Sequence, residues 1–190
     1  MAPATDTRQQ MIESAAALFR ERGVHGTSFA DVLERSGAPR GSVYHHFKRG
    51  KSEIAEEALA WAGELLIADA AAMLREHDPV TAVGLFGEQW ADLLRSTDFA
   101  AGCSIVAGAV DGSHEPAAQA VAGKVFADWE RGIADALEQH GIPGARSASL
   151  STLLIASFEG AVVLSRAQRS LEPLRRVTRE LKAVVAAEIP

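Results

Sequence analysis

Thr27 to Lys51 read TSFADVLERSGAPRGSVYHHFKRGK, and this stretch decides the fold. Thr27 or Ser28 can cap a short helix whose inner face is Phe29, Val32 and Leu33. Gly37 ends that helix. Pro39 then sits where a first-turn proline is tolerated, so a second helix is expected from about Arg40 to Phe47. There Val43 and Phe47 turn inward at i, i+4 spacing, and Arg40, Gly41, Ser42, Tyr44 and His45 stay outside. No acid occurs from Gly37 to Lys51, so Arg40, Lys48, Arg49 and Lys51 are uncompensated along this stretch. A short apolar helix, a tight glycine-containing turn and a second helix with a cationic, hydrogen-bonding face is the layout of a DNA-reading helix-turn-helix.

Outward from this centre, period-3.6 spacing recurs along the chain and period-2 alternation is almost absent, which predicts an all-α protein of about nine helices. A first helix from about Asp6 to Arg22 puts Met11, Ile12, Ala15, Leu18 and Phe19 on one stripe and stops at Gly23. After Gly50 a long helix is expected from about Lys51 to His77, roughly 40 Å at 1.5 Å per residue. Further helices are expected near Val80–Arg95, Cys103–Val110, Pro116–His140, Ser147–Arg169 and Pro173–Ala187. The reading divides the chain into a DNA-binding domain, 1–50, and an effector-binding and dimerisation domain, 51–190.

Charge supports a localised contact with DNA. Residues 1–60 carry eight Lys/Arg and eight Asp/Glu, whereas residues 61–190 carry eleven and seventeen and hold the whole net charge of −6. An acidic body repels a polyanion, so the cationic helix must make the approach. The single cysteine, Cys103, excludes an intrachain disulfide, and no secretory leader is evident. Asp69, Asp92, Glu130 and Arg166 interrupt the apolar runs before they reach the roughly 20 residues of a membrane span. A cytoplasmic protein without a membrane partner is expected.

The segment Ile12 to Leu59 resembles the tetracycline-repressor (TetR) family of bacterial transcriptional regulators. The resemblance lies in Ala15-Ala16-Ala17-Leu18-Phe19 with Gly23, in Thr27 to Val32, in Gly37 to Phe47 and in Lys51-Ser52-Glu53. Gly102-Cys103-Ser104-Ile105-Val106, after a Trp-containing helix, is similar to the lincomycin-resistance-regulator (LmrA/YxaF-like) subgroup. Pro39 departs from the family, many of whose members place a capping Ser there.

The resemblance implies a homodimer that sets two reading helices in successive major grooves of a palindromic double-stranded operator, acting as a repressor released by a small, largely apolar effector. Arg40 and Ser42 are then the candidates for base edges, Arg40 bridging guanine O6 and N7. Gly41 allows close approach, and Tyr44, His45 and Lys51 suit phosphates and sugars, with hydroxyl or amide contacts from Thr27 and Ser28. For the effector, Phe86, Trp90, Cys103, Phe126 and Trp129 are the candidate lining. For the dimer, Leu153, Ser157, Gly160, Ala161 and Leu164 form one apolar stripe with small residues, and Leu174, Val177 and Leu181 form a second. Each set also has a plain structural reading, as core packing or a solvated helix face.

Other signals carry less. Gly50-Lys51-Ser52 lacks the earlier glycine and preceding strand of a phosphate-binding loop. The histidines show neither HExxH nor Glu-x-x-His spacing, so no metal or other cofactor is expected. Cys103 with His114 or His140 lacks an orienting group, so no catalytic residue is assigned. Two alternatives stay open at this level: a helical enzyme or ligand carrier whose first three helices are structural, and an architectural DNA-binding protein without an effector.

Overall fold

The computed structural model describes residues 7–39, 41, 45–111 and 115–190. Among these residues there are eight helices and no strand: α1 Thr7–Arg22, α2 Phe29–Ser36, α3 Lys51–Glu76, α4 Pro79–Ser96, α5 Ser104–Val110, α6 Pro116–Gln139, α7 Gly144–Gln168 and α8 Glu172–Ala186. The architecture is all-α, as the periodicity predicts. The further helix expected at 40–47 falls mostly on Arg40, Ser42, Val43 and Tyr44, outside the described residues; His45 and His46 at its end are helical.

By packing, the chain forms two units, one of Met1–Glu64 with Cys103–Val125 and one of Leu65–Gly102 with Phe126–Pro190. The division differs from a boundary after residue 50, because the start of α3, all of α5 and the start of α6 pack with α1 and α2. In this first unit Met11, Phe19, Val24, Val32, Phe47, Ile54, Leu59 and Ile105 are buried. Two glycines let helices touch there. A Cβ on Gly108 of α5 would lie 2.6 Å from Leu59 Cδ1 of α3, and one on Gly63 would lie 2.5 Å from Val125 Cγ2 of α6. Phe47 is fully buried, with the Arg8 guanidinium 5.1 Å from its ring centroid. Arg8 also pairs with Glu57 at 2.5 Å, which ties α1 to α3 beside Phe47.

The second unit packs α4, α7 and α8 with parts of α3 and α6 around Phe86, Trp90, Leu94, Trp129, Leu137, Leu150, Phe158, Leu174 and Val185. Asp78 fixes the start of α4: one carboxylate oxygen accepts from the Val80 and Thr81 amides at 3.0 Å, the other from the Thr81 hydroxyl at 2.6 Å, and Pro79 opens the first turn. α7 starts at Gly144, ahead of the expected Ser147, whose buried hydroxyl donates to the Ile142 carbonyl. By length and composition α7 is apolar enough to cross a membrane, a feature the charge-interruption reading missed. Half of that apolar window is buried inside the fold, as in the core helix of a globular protein.

Candidate nucleic-acid interface

Of the two cap candidates before α2, Ser28 is the cap. Its hydroxyl oxygen accepts from the Asp31 amide at 3.2 Å, and the Asp31 carboxylate accepts from the Ser28 amide at 2.8 Å. This reciprocal box satisfies two amides that the first helical turn would otherwise leave open. The Ser28 hydroxyl, then its amide, and then Arg22 at 3.0 Å hold the Asp31 carboxyl below the usual carboxylate range. Thr27 is buried, and its hydroxyl donates to the Gly23 carbonyl at 2.8 Å. Its side chain therefore braces the turn from inside and offers no hydroxyl to a partner outside. Gly37, at φ 68°, ends α2 in the left-handed conformation that glycine adopts freely.

Arg40, Ser42 and Tyr44 lie outside the described residues. Gly41 and His45 are exposed, as a DNA-facing surface requires, and Lys48 is exposed without an ion pair among the described residues. The cations at the end of the segment are compensated after all, by acids that the linear stretch does not contain. Arg49 makes a two-pronged pair with Glu56 at 2.9 and 3.1 Å, which raises the guanidinium above its usual range. Lys51 Nζ donates to the His25 carbonyl at 3.1 Å and stands 3.9 Å from Glu115 Oε1.

Sequence reasoning missed Asp111 and Glu115, which brace the turn before α2 and the first turn of α3. Asp111 Oδ2 accepts from the His25 amide at 2.9 Å, and Glu115 Oε2 accepts from the Ser52 hydroxyl at 3.2 Å. No local spacing pairs them with residues so distant in the chain. The only sequence hint is two acids flanking a short segment between helices.

Within the second unit is a cavity of about 50 Å³. Its lining is Ala70, Met73 and Leu74 of α3; Pro79, Ala82, Val83 and Phe86 of α4; Trp129, Ile133 and Leu137 of α6; and Leu154, Ile155 and Phe158 of α7. Every lining residue is apolar or aromatic. Of the expected effector residues, Phe86 and Trp129 form its wall. Trp90 sits behind, edge-on to Phe86 at 6.2 Å, and Phe126 stacks on Trp129 at 6.5 Å. Cys103 belongs to the first unit, at the N-terminal end of α5. Single-residue aromatic character could not separate wall from backing, whereas the fourfold spacing of Trp129, Ile133 and Leu137 on one face of α6 is a signal that could have.

The two candidate dimer stripes divide. Ala161, Leu174 and Leu181 are buried in their own unit, whereas Leu153 and Leu164 are 41% and 50% exposed. Gly160 is exposed, and Ser157 and Val177 are half-buried. Between α7 and α8 runs a groove of about 310 Å³ lined by Leu153, Ser157, Arg176, Val177, Glu180, Leu181 and Val184.

With this geometry in view, comparison with known proteins gives two family matches. Residues 11–58 match the bacterial regulatory proteins of the tetR family, and residues 79–180 match the C-terminal domain of LmrA/YxaF-like transcriptional regulators. The chain is 39% identical to the HTH-type transcriptional regulator Rv0196 of Mycobacterium tuberculosis (strain ATCC 25618 / H37Rv), over 96% of both chains. It is 31% identical to the HTH-type transcriptional regulator YxaF of Bacillus subtilis (strain 168), over 95% of both. The fold is that of the crystal structure of regulatory protein TetR from Rhodobacter sphaeroides, with a TM-score of 0.84 at 19% identity, covering 94% of this chain and 98% of that one.

Proposed function

Since the chain belongs to the TetR family of bacterial regulatory proteins, with a C-terminal domain of the LmrA/YxaF-like type, we propose that it is a one-component repressor. It binds a palindromic operator as a cytoplasmic homodimer and is released by a small, largely apolar effector. The domain of residues 1–50, with Lys51 at its border, carries the DNA contacts, and the domain of residues 51–190 holds the effector and the dimer face. The chain is a transcriptional regulator and not an enzyme, in keeping with both family matches.

The observation that carries this reading is the family match over 11–58, the segment in which Ser28, Gly41, His45 and Lys48 are exposed. Arg40 and Ser42 read base edges, while Tyr44, His45 and Lys51 meet the backbone. Thr27 acts by position, fixing the turn that presents Ser28.

The apolar cavity supports the effector part. Its volume is well below that of a typical ligand site, so a ligand selects a state in which the wall has opened. Phe86 and Trp129 contact such a ligand directly, backed by Trp90 and Phe126. An effector that favours the opened body, in which the two heads no longer match successive grooves, releases the operator. For the dimer, Leu153, Ser157, Gly160 and Leu164 of α7 with Val177 of α8 make a self-complementary face about a two-fold axis.

Fluorescence-anisotropy titrations of promoter duplexes test the DNA assignment. Arg40→Ala is expected to cost about 1–3 kcal/mol and to relax preference at one base position. Unchanged affinity and unchanged preference would remove Arg40 from the reading surface.

A further inference from the structure

The cation expected to meet a DNA phosphate already faces a carboxylate of its own fold. Resting on the reading of Lys51 as a phosphate contact, we propose that Glu115 is an internal stand-in for that phosphate. It sets how many backbone contacts the head makes.

Glu115 stands directly before α6, with its side chain only 15% exposed. Oε1 is 3.9 Å from Lys51 Nζ, and Oε2 accepts from the Ser52 hydroxyl at 3.2 Å, which fixes the carboxylate beside the first turn of α3. Lys51 is itself anchored, donating to the His25 carbonyl at 3.1 Å. The His25 amide is held in turn by Asp111 Oδ2 at 2.9 Å. Two acids from the connector between α5 and α6 thus grip both flanks of the reading segment: the turn that leads into Ser28 and the start of α3.

The two acids have different parts. Asp111 is a positioning residue, because what the His25 amide needs is an acceptor, charged or not. Glu115 acts through its charge. A lysine that meets a phosphate from free solution releases a condensed counterion, and that release drives binding. Lys51 is already partly neutralised by a largely buried carboxylate, an interaction that salt screens less than an exposed pair. DNA must then displace Glu115 from Lys51, and the counterion gain at this position is reduced.

The test uses the full-length protein and a fluorescein-labelled duplex of arbitrary sequence, titrated across a salt series, with thermal melts to confirm folding. Glu115→Gln keeps an acceptor for Ser52 and removes the charge. It is expected to steepen the slope of log affinity against log salt by a part of the roughly 0.9 that a full phosphate contact carries, and to tighten binding about three-fold at moderate salt. Lys51→Ala is expected to flatten the slope, and adding Glu115→Gln to Lys51→Ala should then change nothing. Glu115→Ala serves if the glutamine variant is unstable, with the same expectation for the slope. A Glu115 variant with the native slope, or one that steepens it equally without Lys51, overturns the proposal. If Lys51→Ala itself leaves the slope unchanged, the phosphate reading of Lys51 fails and takes the proposal with it. If Lys51→Ala flattens the slope and Glu115→Gln does not steepen it, only the proposal fails. Asp111→Asn should keep native affinity and Asp111→Ala should lose several-fold; equal loss in both would remove Asp111 as a positioning acceptor.

Discussion

Ser28 shows how one side chain serves stability and presentation together. It satisfies the Asp31 amide while standing exposed at the edge of the reading segment. Ser28→Ala is expected to destabilise the head by about 1 kcal/mol in urea unfolding, and Ser28→Asn by much less, since asparagine caps equally well. The pH response follows from the two capping carboxylates. Asp31 is held below its ordinary range chiefly by the Ser28 hydroxyl, and Asp78 chiefly by the Thr81 hydroxyl. A carboxyl lowered in the folded state contributes fully above its unfolded value and loses that contribution as pH falls. Melting temperatures should therefore drop from about pH 5 downward, less steeply in Asp78→Asn. An equally steep acid limb in that variant would assign the loss to other groups.

At this scale the sequence was legible where chemistry is local. A cap at Thr27 or Ser28, the Gly37 stop and the inward Phe47 follow from spacing alone, and the fold selects Ser28 as the cap. What distant chain brings was not legible. Lys51 looked uncompensated because Glu115 and the His25 carbonyl reach it only through the fold. Thr27 looked available to a partner until its burial and its bond to Gly23 were seen.

Among the helices, boundaries were legible to within a few residues because Gly, Pro and Asp mark them, as at Gly23, Asp78-Pro79 and Gly141 to Gly144. Which face of a helix meets what was harder. In α7, Leu150, Leu154, Phe158 and Ala161 turn inward, while Leu153, Val163 and Leu164 stay exposed. Apolar residues run almost all round this helix, so periodicity cannot tell its own core from a face kept for a partner. Close helix contacts were equally hidden, since a glycine reports nothing until its neighbour is known. Gly108 of α5 admits Leu59 of α3, and Gly108→Val is expected to destabilise the first unit by about 1–3 kcal/mol through overpacking, read by urea unfolding. Native stability in that variant would show that α5 can move away from α3 without cost.

For the whole molecule, the class was legible and the division into units was not. The chain returns to its first unit at Cys103–Val125, and no composition change marks that return. The proposed assembly makes a prediction at this level. Leu153→Asp with Leu164→Asp alters two exposed positions, so the protomer should keep its helical content while sedimenting as a monomer and losing operator affinity. A double variant that remains dimeric would move the interface elsewhere.

The central claim is that a pair of such subunits reads a palindromic operator and releases it when an apolar molecule enters the body. Nuclease footprinting of the promoter beside its own gene tests this most directly, with and without an apolar compound that raises the protein's melting temperature. The account predicts two protected half-sites about one helical turn apart, related by a dyad, and loss of both when the compound is added. Absence of protection even at low ionic strength, or protection that persists at saturating compound, would contradict it.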